Sequence, residues 1–157
     1  MSLEEVPSAA VVDKAVYNTE TNEFEPRYTL EETQMMKQEK NKLAFAAYLA
    51  SHPLTWVDGK EYGVTEQDQA EISLNLNQYQ VAIQAGVENP TLEWHAKKEE
   101  CQPWTLEQLA ALSLAISNAV YPKYHLMQKY KTAIYAATTI DEVDAIELNY
   151  DNESETE

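Results

Sequence analysis

LEWHAKKEECQPWTLEQLAALSLAISNAVYPKYHLMQKYKTAIYAATTIDEVDAIELNY, residues 92–150, carries three patterns in succession. Residues 92–95 and 101–104 are short aromatic-bearing pieces on either side of a charged AKKEE turn, which predicts a hairpin. Thr105, with Gln108 three residues on, is the capping box that opens a helix. Leu109, Leu112, Ile116, Ala119 and Val120 then recur at helical spacing, and the pattern resumes in Leu126, Met127, Tyr130, Ile134 and Ala137. Pro122 falls between the two runs. It lacks an N–H and its ring meets the preceding turn, so a kink or a break is expected near residues 119–121. Thr139 and Glu142 cap a last short helix, which Val143 and Ile146 would return to the core.

The same plan stands upstream. Asp58-Gly59 between apolar and aromatic runs, in LTWVDGKEYGV (residues 54–64), is the strongest short hairpin signature in the chain. Thr65 with Asp68 caps the helix that follows, with Ile72, Leu76, Tyr79 and Ile83 on one face and Leu74 and Val81 alongside. Gly86 ends that helix. Trp56…Thr65 and Trp94…Thr105 thus each open a hairpin that feeds a capped helix. Before them, Thr29 and Glu32 start a helix that runs to Ser51 and stops at His52-Pro53. Its apolar face is expected from Met35, Met36, Leu43, Ala46, Ala47 and Ala50, widened by Phe45, Tyr48 and Leu49. Residues 15–17 and 23–25 are extended pieces around a polar turn, consistent with either a hairpin or an extended arm.

These patterns predict an α+β, mainly helical domain: three main helices, a short C-terminal helix and two small β-hairpins. It spans residues 29–148, after an N-terminal arm or extended hairpin (residues 1–28) and before an acidic disordered tail (residues 149–157). A chain of 157 residues with 44% apolar content can bury a core without disulfides or metals. Its 3 glycines are too few for a sandwich or barrel.

The net charge of -16 repels nucleic acid and anionic membranes, so neither is expected as a partner. The N-terminus shows no cleavable signal and no segment reaches membrane-spanning length, so a soluble protein is expected. His52, His95 and His125 lie on separate elements without ligand spacing, and no metal or cofactor is expected. His95 and the single cysteine, Cys101, invite a Cys–His nucleophile reading, but no third group to orient them is evident. Glu99 and Glu100 read as a solvated turn. No glycine-rich phosphate loop and no Gly-x-Ser-x-Gly elbow occurs, so no catalytic residue is assigned and the protein is read as a non-enzyme. Aromatic side chains are the remaining functional material, because Tyr and Trp bury apolar area while keeping a polar edge. Trp94, His95 and Trp104 on the hairpin, with Tyr121, Tyr124 and Tyr130 after Pro122, form the expected protein-contact set. Core packing is the competing use of each.

The succession LEWHAKKEECQPWT, LEQLAALSLAI and IYAATTIDEVDAIEL, with the upstream DGKEYGVTEQDQAEISL, resembles an uncharacterised domain family found in bacteriophage and prophage tail genes, one of the domains of unknown function. The likeness covers residues 29–148. It implies a structural component of the tail fibre or baseplate, or a fibre assembly factor, acting through tail-fibre or baseplate proteins and through a homo-oligomer. Such a protein would reside in the virion tail, or in the host bacterial cytoplasm during assembly. The family has no catalytic residues to carry over. The alternative from charge is a phage-encoded acidic inhibitor that mimics nucleic acid and blocks a basic host protein. It requires Glu66, Asp68, Glu71, Asp141, Glu142 and Asp144 to line one continuous ridge.

Overall fold

The computed structural model describes residues 15–151. Strands β1 (Ala15–Asn18) and β2 (Glu23–Pro26) are followed by helix α1 (Leu30–Ser51). Next come β3 (Leu54–Thr55), β4 (Glu61–Tyr62) and α2 (Glu66–Gln84). The chain continues through β5 (Glu93–Trp94), β6 (Gln102–Pro103), α3 (Leu106–Ala136) and α4 (Ile140–Asp144). The fold is α+β and mainly helical, as expected, but the described residues form three antiparallel two-stranded hairpins where the sequence predicts two. The third is β1–β2, with Ala15 opposite Pro26 and Asn18 opposite Glu23. Of the two forms open for residues 15–26, the hairpin is the one adopted.

The four helices of the described residues all begin at the threonines that the sequence marks. Thr29, Thr65 and Thr105 each accept from the backbone N–H three residues on, and Glu32, Asp68 and Gln108 reach back to close full capping boxes. Thr139 caps α4 in the same way, but the Glu142 carboxylate reaches one residue further, to the Thr138 N–H at 2.7 Å. That bond, and a second from the Thr138 hydroxyl, hold Glu142 below the usual carboxylate range. At the end of α2, Gly86 (φ +80°) allows Val87 N–H to bond Ala82 and Gly86 N–H to bond Ile83, the paired Schellman bonds that satisfy carbonyls left open by the last turn.

Helix α3 is the central element, with α1 and α2 packed on it and α4 packed on α1. Leu109, Leu112, Ile116, Val120 and Ile134 form one buried stripe along it. Each such side chain stabilises the fold by about 1.5–3 kcal/mol relative to exposure. The helix runs past Pro122 without interruption, so the break allowed near residues 119–121 does not occur. Pro122 and Asn118 are both exposed, on the side away from the stripe. The carbonyl that loses its partner to the proline therefore lies on the wet side, while buried contacts before and after hold the helix together. Ala119, expected on the apolar face, is exposed.

The buried face of α1 differs from the expected one. Met35, Met36 and Leu43 are exposed, Leu43 by 62%, as are Ala46, Ala47 and Ala50. The residues turned inward are Gln38, Asn41, Phe45 and Leu49. Polar side chains occupy this stripe because α3 and the C-terminal segment supply their partners. Asn41 Nδ2 donates to Gln38 Oε1 and to the Met127 carbonyl, each at 3.1 Å, while Asn41 Oδ1 accepts from the Tyr150 hydroxyl. Two turns before Asn41, Gln34 Nε2 donates to the carbonyls of Ile134 and Ala137, both at 3.1 Å, and so caps the end of α3 from the neighbouring helix. On α2, Ile72 is buried and Leu76 and Tyr79 pack on the core, whereas Ile83, Leu74 and Val81 are exposed.

The packed body continues past Leu148, where the domain was expected to end. Tyr150 is 4% exposed, its ring against Phe45, Tyr48 and Tyr130. Lys123 donates to the Tyr150 carbonyl and sits 4.7 Å above the Tyr48 ring. The Tyr130 hydroxyl donates to the Asn149 carbonyl at 2.8 Å. The expected acidic tail beyond residue 151, and residues 1–14 of the N-terminal arm, lie outside the described residues.

Candidate functional site

Period-two alternation in the second hairpin sends Leu92, Trp94 and Ala96 inward and leaves Glu93 and Lys97 outside. In the first hairpin Tyr62 and Val64 point inward likewise. Gly59 takes φ +79° at the tip, and its N–H bonds the Trp56 carbonyl at 2.9 Å, which closes the turn. The tip of the second hairpin is turned by Lys98, a non-glycine residue at φ +65°.

The two hairpins are joined to each other. Lys97 N–H donates to the Glu61 carbonyl at 2.8 Å, and Lys60 Nζ meets Glu99 Oε2 at 2.8 Å. Trp104 stands edge-on to Tyr62, with ring centroids 5.6 Å apart. Between the hairpins and the first turns of α3 lies a cleft of about 540 Å³. All three tryptophans of the chain, Trp56, Trp94 and Trp104, line it. Trp94 is buried and its indole N–H meets no acceptor among the described residues; Trp56 and Trp104 are half-buried, and Val57 stands 88% exposed beside the cleft.

The charged groups of the cleft are mainly acidic: Asp58, Glu99, Glu100 and Glu107, against Lys60 as the one lining ammonium. Glu99 is the main cause that raises the Lys60 pKa, first by the hydrogen bond and then by its charge. Partial desolvation works against ionised Asp58, yet hydrogen bonds from the Lys60 N–H and the Tyr62 hydroxyl outweigh it and hold the carboxyl below its usual range. Burial, then the bond to Asp58, pushes the Tyr62 hydroxyl well above the ordinary tyrosine value. The cleft thus presents a wall of aromatic faces with carboxylates at its edge.

Of the six expected contact residues, the structure gathers Trp94, His95 and Trp104 in this cleft. Tyr121 and Tyr124 are elsewhere, some 20 Å further along α3 at 1.5 Å per residue. They are exposed by 59% and 42%, with Tyr121 edge-on to His125 at 4.4 Å. Tyr130 belongs to neither group, being half-buried against Tyr150. Sequence reasoning missed Trp56, Asp58, Lys60 and Tyr62, although the shared hairpin–helix plan of the two units was a signal that could have paired them. His95 Nδ1 lies 3.6 Å from Cys101 Sγ. Among the described residues no hydrogen bond to a third group orients that imidazole. Among the described residues no group of three or more His, Cys, Asp or Glu is placed to hold a metal ion, and no helix is long and apolar enough to cross a membrane. Of the carboxylates required for an acidic ridge, Asp68 and Glu142 accept from their helix caps and Glu71 accepts from Gln67 Nε2 at 2.8 Å.

Residues 10–147 match the family model of a domain of unknown function, DUF4376, and the chain belongs to that family. No curated protein and no solved structure matches it.

Proposed function

We propose that the protein is a non-enzymatic docking module that works in the structure or assembly of a phage tail fibre or baseplate, with the cleft between the two hairpins as its contact surface. One observation carries the docking part: every tryptophan of the chain converges on a single cleft. Large aromatic side chains at a partly open pocket are the usual anchors of protein interfaces, since they bury much area at small entropic cost. The tail assignment rests on the resemblance of the hairpin and helix motifs to a family found in tail genes.

The test is co-elution of the purified protein with isolated virions, or with a tail-fibre protein co-expressed beside it, at low and high salt. Co-elution with virions or fibre that is lost in Trp56→Ala or Trp104→Ala supports the reading. Absence of any virion or fibre association overturns the tail assignment, and association indifferent to both tryptophan variants overturns the assignment of the cleft. Salt-labile capture of a basic host protein in place of the fibre would favour the nucleic-acid mimic.

A further inference from the structure

The occupant of the cleft can be specified further, on the assumption that the cleft is a docking site at all. We propose that it takes a basic, arginine-bearing peptide segment of the partner, with the guanidinium stacked on tryptophan and paired with the rim carboxylates. The cleft combines indole faces with four carboxylates, and its one ammonium, Lys60, is already committed to Glu99. Glu100 and Glu107 are exposed, and the carboxylate of neither makes a hydrogen bond or ion pair with another described residue.

A cation over an indole face gains from the ring quadrupole, by more where water is excluded. Guanidinium suits this better than ammonium. It is planar, more weakly hydrated, and its fork of N–H donors matches a carboxylate while its face lies on a ring. An acidic partner segment would bring like charge against Glu100 and Glu107. A neutral apolar segment would leave both carboxylates facing it without a partner. Charge complementarity therefore selects a cationic segment, and the aromatic walls select arginine.

Because all three tryptophans line the cleft, intrinsic fluorescence of the full chain reports occupancy. The probe is a capped Gly-Arg-Gly-Arg-Gly peptide, titrated beside its citrulline counterpart, which keeps the shape and loses the charge. The expected result is a saturable change with the arginine peptide, at least tenfold weaker with the citrulline peptide. The double variant E100Q/E107Q, altered only at exposed carboxylates, should also bind the arginine peptide roughly tenfold more weakly. Equal binding of the citrulline peptide, or displacement of the arginine peptide by a neutral oligosaccharide such as maltotriose, overturns the cationic occupant. So does the absence of a saturable change. Failure of the docking reading itself is seen separately, as fibre co-elution unaffected by Trp104→Ala.

Discussion

The Tyr150 hydroxyl donates to Asn41 Oδ1 across 109 positions of sequence, and so joins the C-terminal segment to the middle of α1. Asn41 is 0% exposed and Tyr150 4%. In such a setting the loss of one partner costs the desolvation of the other. Tyr150→Phe keeps the ring contacts with Phe45 and Tyr130 and removes the donor alone, so it should destabilise the protein by about 1–3 kcal/mol. Ending the chain at Leu148 removes those ring contacts and the carbonyl bonded by Lys123 as well, and should cost more than the point substitution. Urea denaturation of the two variants beside the parent checks both statements. Equal midpoints for all three chains would show that the segment contributes nothing to stability.

Gly63 is fixed by a neighbour and not by its own backbone angles. A Cβ built there would lie 2.4 Å from Asp68 Oδ2 and 2.8 Å from Asp68 Cγ. That carboxylate is the returning half of the α2 capping box, accepting from both the N–H and the hydroxyl of Thr65. Gly63→Ala must therefore push Asp68 out of the box. The expected loss is about 1–2 kcal/mol, the range of a helix N-cap. In the Asp68→Ala background Gly63→Ala should be nearly neutral, because the group it collides with is gone. A double-mutant cycle by chemical denaturation measures that coupling.

The parts of this fold that the sequence disclosed are those set by neighbours in the chain. Four threonine caps, the Asp58-Gly59 turn and the α3 stripe all depend on spacings of a few residues; the caps and the turn are found where expected, and the stripe holds at Leu109, Leu112, Ile116, Val120 and Ile134 but not at Ala119. The inward face of α1 depends on partners far away: the Met127 carbonyl is 86 positions from Asn41 and the Ile134 carbonyl is 100 from Gln34. An apolar-periodicity argument turns Met35 and Leu43 inward because it cannot know that α3 offers carbonyls to Asn41 and Gln34. The cleft divides in the same way. The spacing pairs Trp94 and Trp104 as one hairpin, but Trp56 joins them through contacts between hairpins (Lys97–Glu61, Lys60–Glu99 and Tyr62–Trp104) that no local pattern announces.

Pro122 occupies an interior position of a 31-residue helix, on its exposed side. Proline there forfeits one backbone hydrogen bond and crowds the carbonyl four residues earlier, at a cost that reaches about 3 kcal/mol relative to alanine. The surrounding stripe from Leu112 to Ile134 holds the helix in spite of it. Pro122→Ala should stabilise the protein by about 1–3 kcal/mol with the fold unchanged. Thermal and urea denaturation read the gain. An unchanged or lowered midpoint would mean that the helix relies on a local shape that alanine does not reproduce.

Alkaline pH should act through two tyrosines. Burial, then the hydrogen bond to Asp58, raises the Tyr62 pKa above the ordinary 10.0; burial, then the charge of Tyr130, does the same for Tyr150. For a group whose folded pKa lies above its unfolded one, the stabilisation is complete below the unfolded value. It is lost as pH rises towards the folded value, because the unfolded chain releases its proton first. The contribution of these two residues should therefore be flat from neutral pH to near 10.0 and fall above it. Tyr150→Phe and Tyr62→Phe should each lower the plateau and make the alkaline decline shallower, since the group that titrates is gone. Denaturation midpoints between about pH 8 and 11.5 provide the measurement. An alkaline slope identical in the parent and both phenylalanine variants would place the titrating groups elsewhere in the chain.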